Sequence, residues 1–167
     1  MKKELGNRIL SPNDVTNTVK RIAYQIHETN LEENSIIIAG VLKNGLTFAN
    51  KIVKELKKIS SAKIELIEIK IDKKNPLNGI VTSENQKKFT DKVIVVIDDV
   101  LNTGKTLIHA VNYFLPIGAK RLQTAVLVNR NHKTYPIKAD FKGISLSTSI
   151  KEHVNVVFDQ NEGVYLS

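Results

Sequence analysis

The sequence predicts an α/β protein of one domain, 1–167, with a mostly parallel central sheet flanked by helices. Three observations predict it. Short apolar runs recur at 36–40, 93–97 and 122–128. Segments with apolar residues at helical spacing separate them. No repeat, low-complexity tract or Pro/Gly-rich linker divides the chain. Strands covered on both faces read as continuous apolar runs, and parallel neighbours need a crossover, usually a helix. In such sheets ligands sit beyond the carboxyl ends of the strands, so the loops there matter most.

The elements follow in order. Ser11-Pro12-Asn13-Asp14 starts a helix, with Ser11 as N-cap, Pro12 at the first helical position and an acid in the first turn. Val15, Val19, Ile22, Ala23 and Ile26 then recur on one face. The 36–40 run is a buried strand. A second amphipathic helix turns Ala49, Ile52, Val53 and Leu56 inward. Residues 63–71 alternate over part of their length, as a half-exposed strand does. The 93–97 run is the most apolar and reads as a central strand. A helix over 104–115 is stopped by Pro116 and Gly118. Another buried strand covers 122–128, and short strands follow at 143–146, 154–158 and 164–166. Between 73 and 91 the chain is polar, with Pro76, Gly79 and three Asn. A long stretch of that kind is a functional lid or a loose surface loop.

Composition narrows the function. The 167 residues contain no cysteine, which excludes disulfide scaffolds, thiolate metal sites and thiol nucleophiles. No apolar run approaches the ~20 residues of a membrane helix. The start, Met1-Lys2-Lys3-Glu4, has no apolar leader core. A cytoplasmic protein is the expectation. The formal charge is +8, which suits an anionic partner. Yet only Arg8, Arg21, Arg121 and Arg130 are arginines among the 25 basic residues. Arg reads phosphates and base edges better than Lys, so the charge points to nucleic acid only weakly.

The segment that carries chemistry is Val93-Ile94-Val95-Val96-Ile97-Asp98-Asp99-Val100-Leu101-Asn102-Thr103-Gly104-Lys105-Thr106. An apolar strand ends in two adjacent carboxylates, then Thr-Gly-Lys-Thr opens a helix. A helix start offers unpaired N–H groups and a positive dipole end, which hold phosphate. Gly104 allows close approach, and the Thr103 and Thr106 hydroxyls add donors. The carboxylates accept from ribose hydroxyls or join a Mg²⁺ shell through water. Phosphate at one end and hydroxyls at the other make a sugar-phosphate site. A Walker A loop would need Gly where Asp99 stands, and a carboxylate there repels phosphate. No Gly-x-Gly-x-x-Gly occurs, so a dinucleotide site has no support.

This segment resembles the phosphoribosyl pyrophosphate motif of type I phosphoribosyltransferases. Gly40-Val41-Leu42-Lys43-Asn44-Gly45-Leu46 is similar to that family's pyrophosphate loop. Asn129-Arg130-Asn131-His132-Lys133 and Tyr135-Pro136-Ile137-Lys138-Ala139-Asp140-Phe141-Lys142-Gly143 resemble the pyrimidine-operon attenuator/uracil phosphoribosyltransferase family. The resemblance implies the type I phosphoribosyltransferase fold, with a flexible lid at about 73–91 and a small C-terminal hood. It implies transfer of a 5-phosphoribosyl group from phosphoribosyl pyrophosphate to a nucleobase, uracil first, with Mg²⁺. Lys43, Asp98 and Asp99 would be catalytic. Leu42, Lys43, Asn44, Gly45, Asp98, Asp99, Asn102, Thr103, Gly104, Lys105 and Thr106 would bind the donor. Asp98 and Asp99 would hold Mg²⁺ through water, and a cis peptide would fall at Leu42–Lys43. A lid lysine, Lys73 or Lys74, would reach the pyrophosphate. Phe141 would stack on the base and main-chain groups near Lys142 would read its edge. A homodimer is expected. The family also implies RNA, for which Arg130, His132, Lys133 and Lys138 are the candidates. An RNA-binding or nucleotide-sensing regulator is thus the second reading. Departures are visible. Asn102 stands where purine-salvage enzymes carry Asp and the attenuator family carries Tyr. Ile71-Asp72-Lys73-Lys74 replaces a Tyr-Arg-Asp-Asp run, Lys43-Asn44-Gly45 replaces Thr-Arg-Gly, and Lys20 and Tyr24 replace a Thr and a His that bear on RNA.

Overall fold

A computed structural model describes residues 5–167. The stretch Met1–Glu4, read above for a leader, lies outside the described residues. The chain runs β1 (Asn7–Leu10), α1 (Pro12–Thr29), β2 (Ser35–Val41), α2 (Asn44–Ile59), β3 (Lys63–Ile71), β4 (Ile80–Thr82), β5 (Val93–Leu101), α3 (Lys105–Phe114), β6 (Arg121–Arg130), β7 (Phe141–Leu146), β8 (Val154–Val157) and β9 (Gly163–Leu166). Six strands form one sheet in the order β4-β3-β2-β5-β6-β7. All neighbours are parallel except β4, which folds back antiparallel on β3. Strand order reverses between β2 and β5, the kind of crevice in which open α/β sheets bind ligands.

Alternation along the strands builds two cores. On β5, Val93, Val95 and Ile97 face α1 and α2, while Ile94 and Val96 face α3. The α1 side joins Ile22, Ile26, Phe48, Ile52 and Leu56 to the sheet, and the α3 side joins Leu107, Ala110 and Phe114. Burial of such side chains, ~1.5–3 kcal/mol each, is the main drive for this layering. At the start of α1 the Ser11 hydroxyl accepts from the Asp14 N–H, and the Asp14 carboxylate accepts from the Ser11 N–H. That reciprocal cap, together with Pro12, fixes where the helix begins.

Two features differ from the sequence reading. The stretch 73–91 is not featureless: it holds β4 and short 3-10 turns at Pro76–Asn78 and Gln86–Phe89. Phe89 is fully buried and meets Phe114 edge-on at 5.2 Å, so the far end of this stretch is anchored in the core. Its polar neighbours hide that anchor from a hydropathy scan. The small hood sheet, in the order β1-β9-β8, is not built from the C-terminal region alone. It recruits β1, a strand too short and polar to stand out.

Candidate active site

The candidate site is a cleft of about 320 Å³ at the carboxyl ends of β5 and β6. Asp98, Asp99, Asn102, Thr103, Gly104, Lys105 and Thr106 line it, joined by Lys73 from the end of β3, Arg130 from β6, and His153 and Val154 from the hood. The structure therefore brings together the two acids and the loop that the sequence singled out.

Asp98 and Asp99 lie within β5 rather than beyond it. The strand continues to Leu101 because Asp98, Val100 and Leu101 still pair with β6. Asp98 is 3% exposed. Burial first, and the Asp99 charge second, push its carboxyl up to about 7, against the pull of Lys73. Lys73 Nζ stands 3.2 and 3.4 Å from the Asp98 carboxylate oxygens and 4.0 Å from Asp99. The Asp98 carboxylate also accepts the Asp99 N–H at 2.9 Å.

The loop 102–106 follows. Gly104 has φ +88° and supplies no side-chain cap to α3, so the first-turn N–H groups have no helical partner, and the Lys105 N–H donates instead to Thr103 Oγ1 at 3.3 Å. Asn102 and Thr103 are exposed. The Thr103 carbonyl accepts from the Thr134 and Tyr135 N–H groups, which tie this loop to the turn after β6.

The second loop borders the cleft from the side. The Leu42–Lys43 peptide is cis. At Gly45 a Cβ would come within 2.9 Å of Asp98 Cα, Asp98 Oδ1 and the Ile97 carbonyl, so α2 starts against the dyad because it starts with glycine. Asn44 donates to Asp99 Oδ2 at 3.1 Å and to the Val156 carbonyl at 3.0 Å. It links loop, dyad and hood. Lys43 is exposed and does not line the cleft.

The base-binding expectation is corrected. Phe141 is 7% exposed and belongs to the α1-side core. It opens β7 opposite Ala125, well short of the carboxyl end that the cleft occupies. The Lys142 and Gly143 carbonyls accept from the Arg21 guanidinium at 3.2 and 2.7 Å. Asp140 takes the Thr124 N–H at 2.9 Å, so the Asp-Phe-Lys-Gly segment pins β7 to β6.

The basic patch is corrected in part. Arg130 is 5% exposed, not a surface cation. Its guanidinium donates to Thr148 Oγ1 and to the Ser149 and Glu152 carbonyls at 2.8–3.1 Å, so it staples the hood loop to the sheet. His132 is half-buried and bonded to the Thr148 carbonyl. Lys133 and Lys138 remain exposed. Sequence reasoning missed the cleft-lining roles of Arg130, His153 and Val154. One signal lay in the polar Ser147-Thr148-Ser149 run, just ahead of the last strands.

Comparison with known proteins fits this geometry. Residues 7–161 match the phosphoribosyl transferase domain model. The chain is 30% identical over 166 residues to the bifunctional protein PyrR of Haemophilus ducreyi, covering 93% of this chain and 92% of that protein. It is 33% identical over 162 residues to the PyrR of Geobacter sulfurreducens, with 92% of each covered. Among solved structures it resembles the hypoxanthine-guanine phosphoribosyltransferase of Bacillus anthracis, with a TM-score of 0.73, 19% identity, and 87% and 85% of the two chains covered. It also resembles the hypoxanthine phosphoribosyltransferase of Trypanosoma cruzi in complex with IMP, with a TM-score of 0.81, 12% identity, and 99% and 96% covered. At such identities these two likenesses speak for the fold. With the family match spanning nearly the whole chain, the protein belongs to the phosphoribosyltransferase family and is PyrR-like along its length.

Proposed function

We infer that this protein transfers the 5-phosphoribosyl group of phosphoribosyl pyrophosphate to a nucleobase, with uracil as the first acceptor to test. One observation carries the reading: a carboxylate pair, Asp98 buried and Asp99 partly exposed, and the start of helix α3 share one cleft at the carboxyl ends of the sheet. The 102–106 backbone and the Thr103 and Thr106 hydroxyls suit the 5-phosphate. Asp98 and Asp99 suit the ribose hydroxyls. Two carboxylates fit a Mg²⁺ ion that arrives on the donor, because Mg²⁺ takes one or two carboxylates with phosphates and water. Among the described residues no cluster of three ligating side chains offers a dedicated metal cage. When bound, Mg²⁺ would neutralise pyrophosphate charge as the leaving group departs. The chain's own part is to hold the sugar at Asp98 and Asp99, fix the phosphate at 102–106, and exclude water under hood and lid.

Uracil is favoured by the likeness to the PyrR proteins and by Asn102, whose amide takes up no proton at neutral pH. The test is pyrophosphate release from donor, Mg²⁺ and each base in turn. Release with uracil is the expected result. Release with hypoxanthine or guanine alone overturns the acceptor, and no release with any base overturns the transfer.

A regulator that binds RNA is the second reading. The name of the curated relatives, bifunctional, and the +8 charge favour it. Lys133 and Lys138 are the cations left exposed to serve it. Specific binding at physiological salt, weakened steeply by added salt, is its signature.

A further inference from the structure

The dyad already has a cation. Among the described residues, Lys73 is the single basic side chain within 4.0 Å of either carboxylate. It stands at the stem of the 73–91 stretch, immediately after β3. Asp72 shapes that stem: its carboxylate accepts from the Lys74 N–H at 2.9 Å and from the Asn78 amide at 3.1 Å. The resulting turn sends Lys73 back across the end of the sheet to β5. At its other end the stretch is fixed by buried Phe89. Pro76 is buried as a second anchor, so the exposed stem is the short piece from Asp72 to Asn75, and beyond it the tip carries Leu77 at 82% exposure. The ammonium ties this stem to the dyad.

Lys73 and an incoming divalent ion compete for the same carboxylate oxygens. Lys73 is tethered and half-exposed, with its side chain 45% accessible, whereas Asp98 is buried. A divalent ion therefore meets a dyad whose charge is partly matched, and must displace a side chain that can leave for water. A displaced ammonium in an anion-binding cleft takes the next anion offered. On the reading above, that anion is pyrophosphate.

We propose that Lys73 is the built-in counter-ion of the Asp98–Asp99 pair, a positioning residue that latches the lid stem to the dyad and is released by the incoming divalent cation. The latch itself stands on the ion pairs; its hand-over to pyrophosphate rests on the transferase reading. Binding and latching are thermodynamically reciprocal: whatever Lys73 costs the cation, the cation costs the latch.

The test needs neither donor nor base, so it separates this proposal from the transferase reading. Mn²⁺ is the probe, titrated into the full chain by calorimetry, with amide exchange followed over 72–82. Lys73→Met should bind Mn²⁺ about fivefold more tightly, the upper range for a half-exposed ion pair. Its 72–82 amides should exchange faster than those of the parent, and Mn²⁺ should no longer change them. In the parent, Mn²⁺ should speed that exchange. Lys73→Arg should restore parent behaviour, and Lys87→Met, an exposed lysine of the same stretch outside the cleft, should leave both readouts unmoved. Equal or weaker Mn²⁺ binding by Lys73→Met overturns the proposal, as does parental exchange that ignores Mn²⁺.

Discussion

Burial and the Asp99 charge push the Asp98 carboxyl from its ordinary 3.8 to about 7, so the folded protein keeps a proton that the unfolded chain releases. Between pH ~4 and ~7 the native state thus binds more protons, and stability falls as pH rises through that window. Asp98→Asn removes the titration. In thermal melts of metal-free protein the variant should gain on the order of 2–4 kcal/mol over the parent above pH 7 and nothing near pH 4. The same variant should lose the ribosyl donor, because the amide cannot replace a carboxylate toward hydroxyls and Mg²⁺ together. Equal slopes of melting temperature against pH in both proteins would contradict the assigned burial. Asn44 is the residue that aims Asp99. Asn44→Ala removes two hydrogen bonds, worth ~1 kcal/mol each. It should raise the donor KM more than it lowers kcat in the transfer assay.

The loops show where local geometry is tightest. Gly104 needs a left-handed backbone, and a Cβ there would stand 2.6 Å from Ile137 Cγ2. Gly104→Ala should therefore cost about 1–3 kcal/mol in chemical denaturation, from strain and displacement of the 131–137 turn. Gly45→Ala would push on the Asp98 backbone instead, and should cut donor affinity more than stability. The elements were unequally legible in the sequence. The β5 run was plain over 93–97, but its extension through the dyad depends on pairing with β6, which hydropathy does not report. Phe141 misled because an Asp-aromatic-x-Gly pattern carries no information on which face or end of a strand the ring occupies. Phe89 was hidden by Gln86, Lys87 and Lys88, since one buried ring makes no periodic signal. Arg130 counted as a charge in the sequence and acts as a connector in the fold.

At the scale of the molecule, the cleft is a joint between the six-stranded sheet and the hood. Arg130 holds that joint from below through Thr148, Ser149 and Glu152, and Asn44 holds it through Val156. Lys51 adds an ion pair to Glu162 at 2.6 Å and lies over the Phe158 ring. Arg130→Ala should leave three hood acceptors without their donor and cost about 2–4 kcal/mol in chemical denaturation. Amide exchange should quicken over 147–153 while the β2, β5 and β6 amides stay protected. Uniform loss of protection would mean that hood and sheet unfold as one unit. The parallel sheet and its two helical faces could be argued from apolar runs and spacing. The hood could not, because its three strands are short and two of them lie at opposite ends of the described chain.

That last pairing has a consequence in time. β1 meets β9 with Asn7 opposite Leu166 and Arg8 opposite Tyr165, and β9 in turn supports β8. During synthesis the main sheet can close from β2 to β7 while β1 still waits for a neighbour that has not been made. The roof over the cleft is then completed only once β9, the latest made of the described strands, has emerged. A chain without β9 keeps the strands that carry Asp98, Asp99 and the 102–106 loop but loses the partner of both β1 and β8, so it should leave the cleft uncovered.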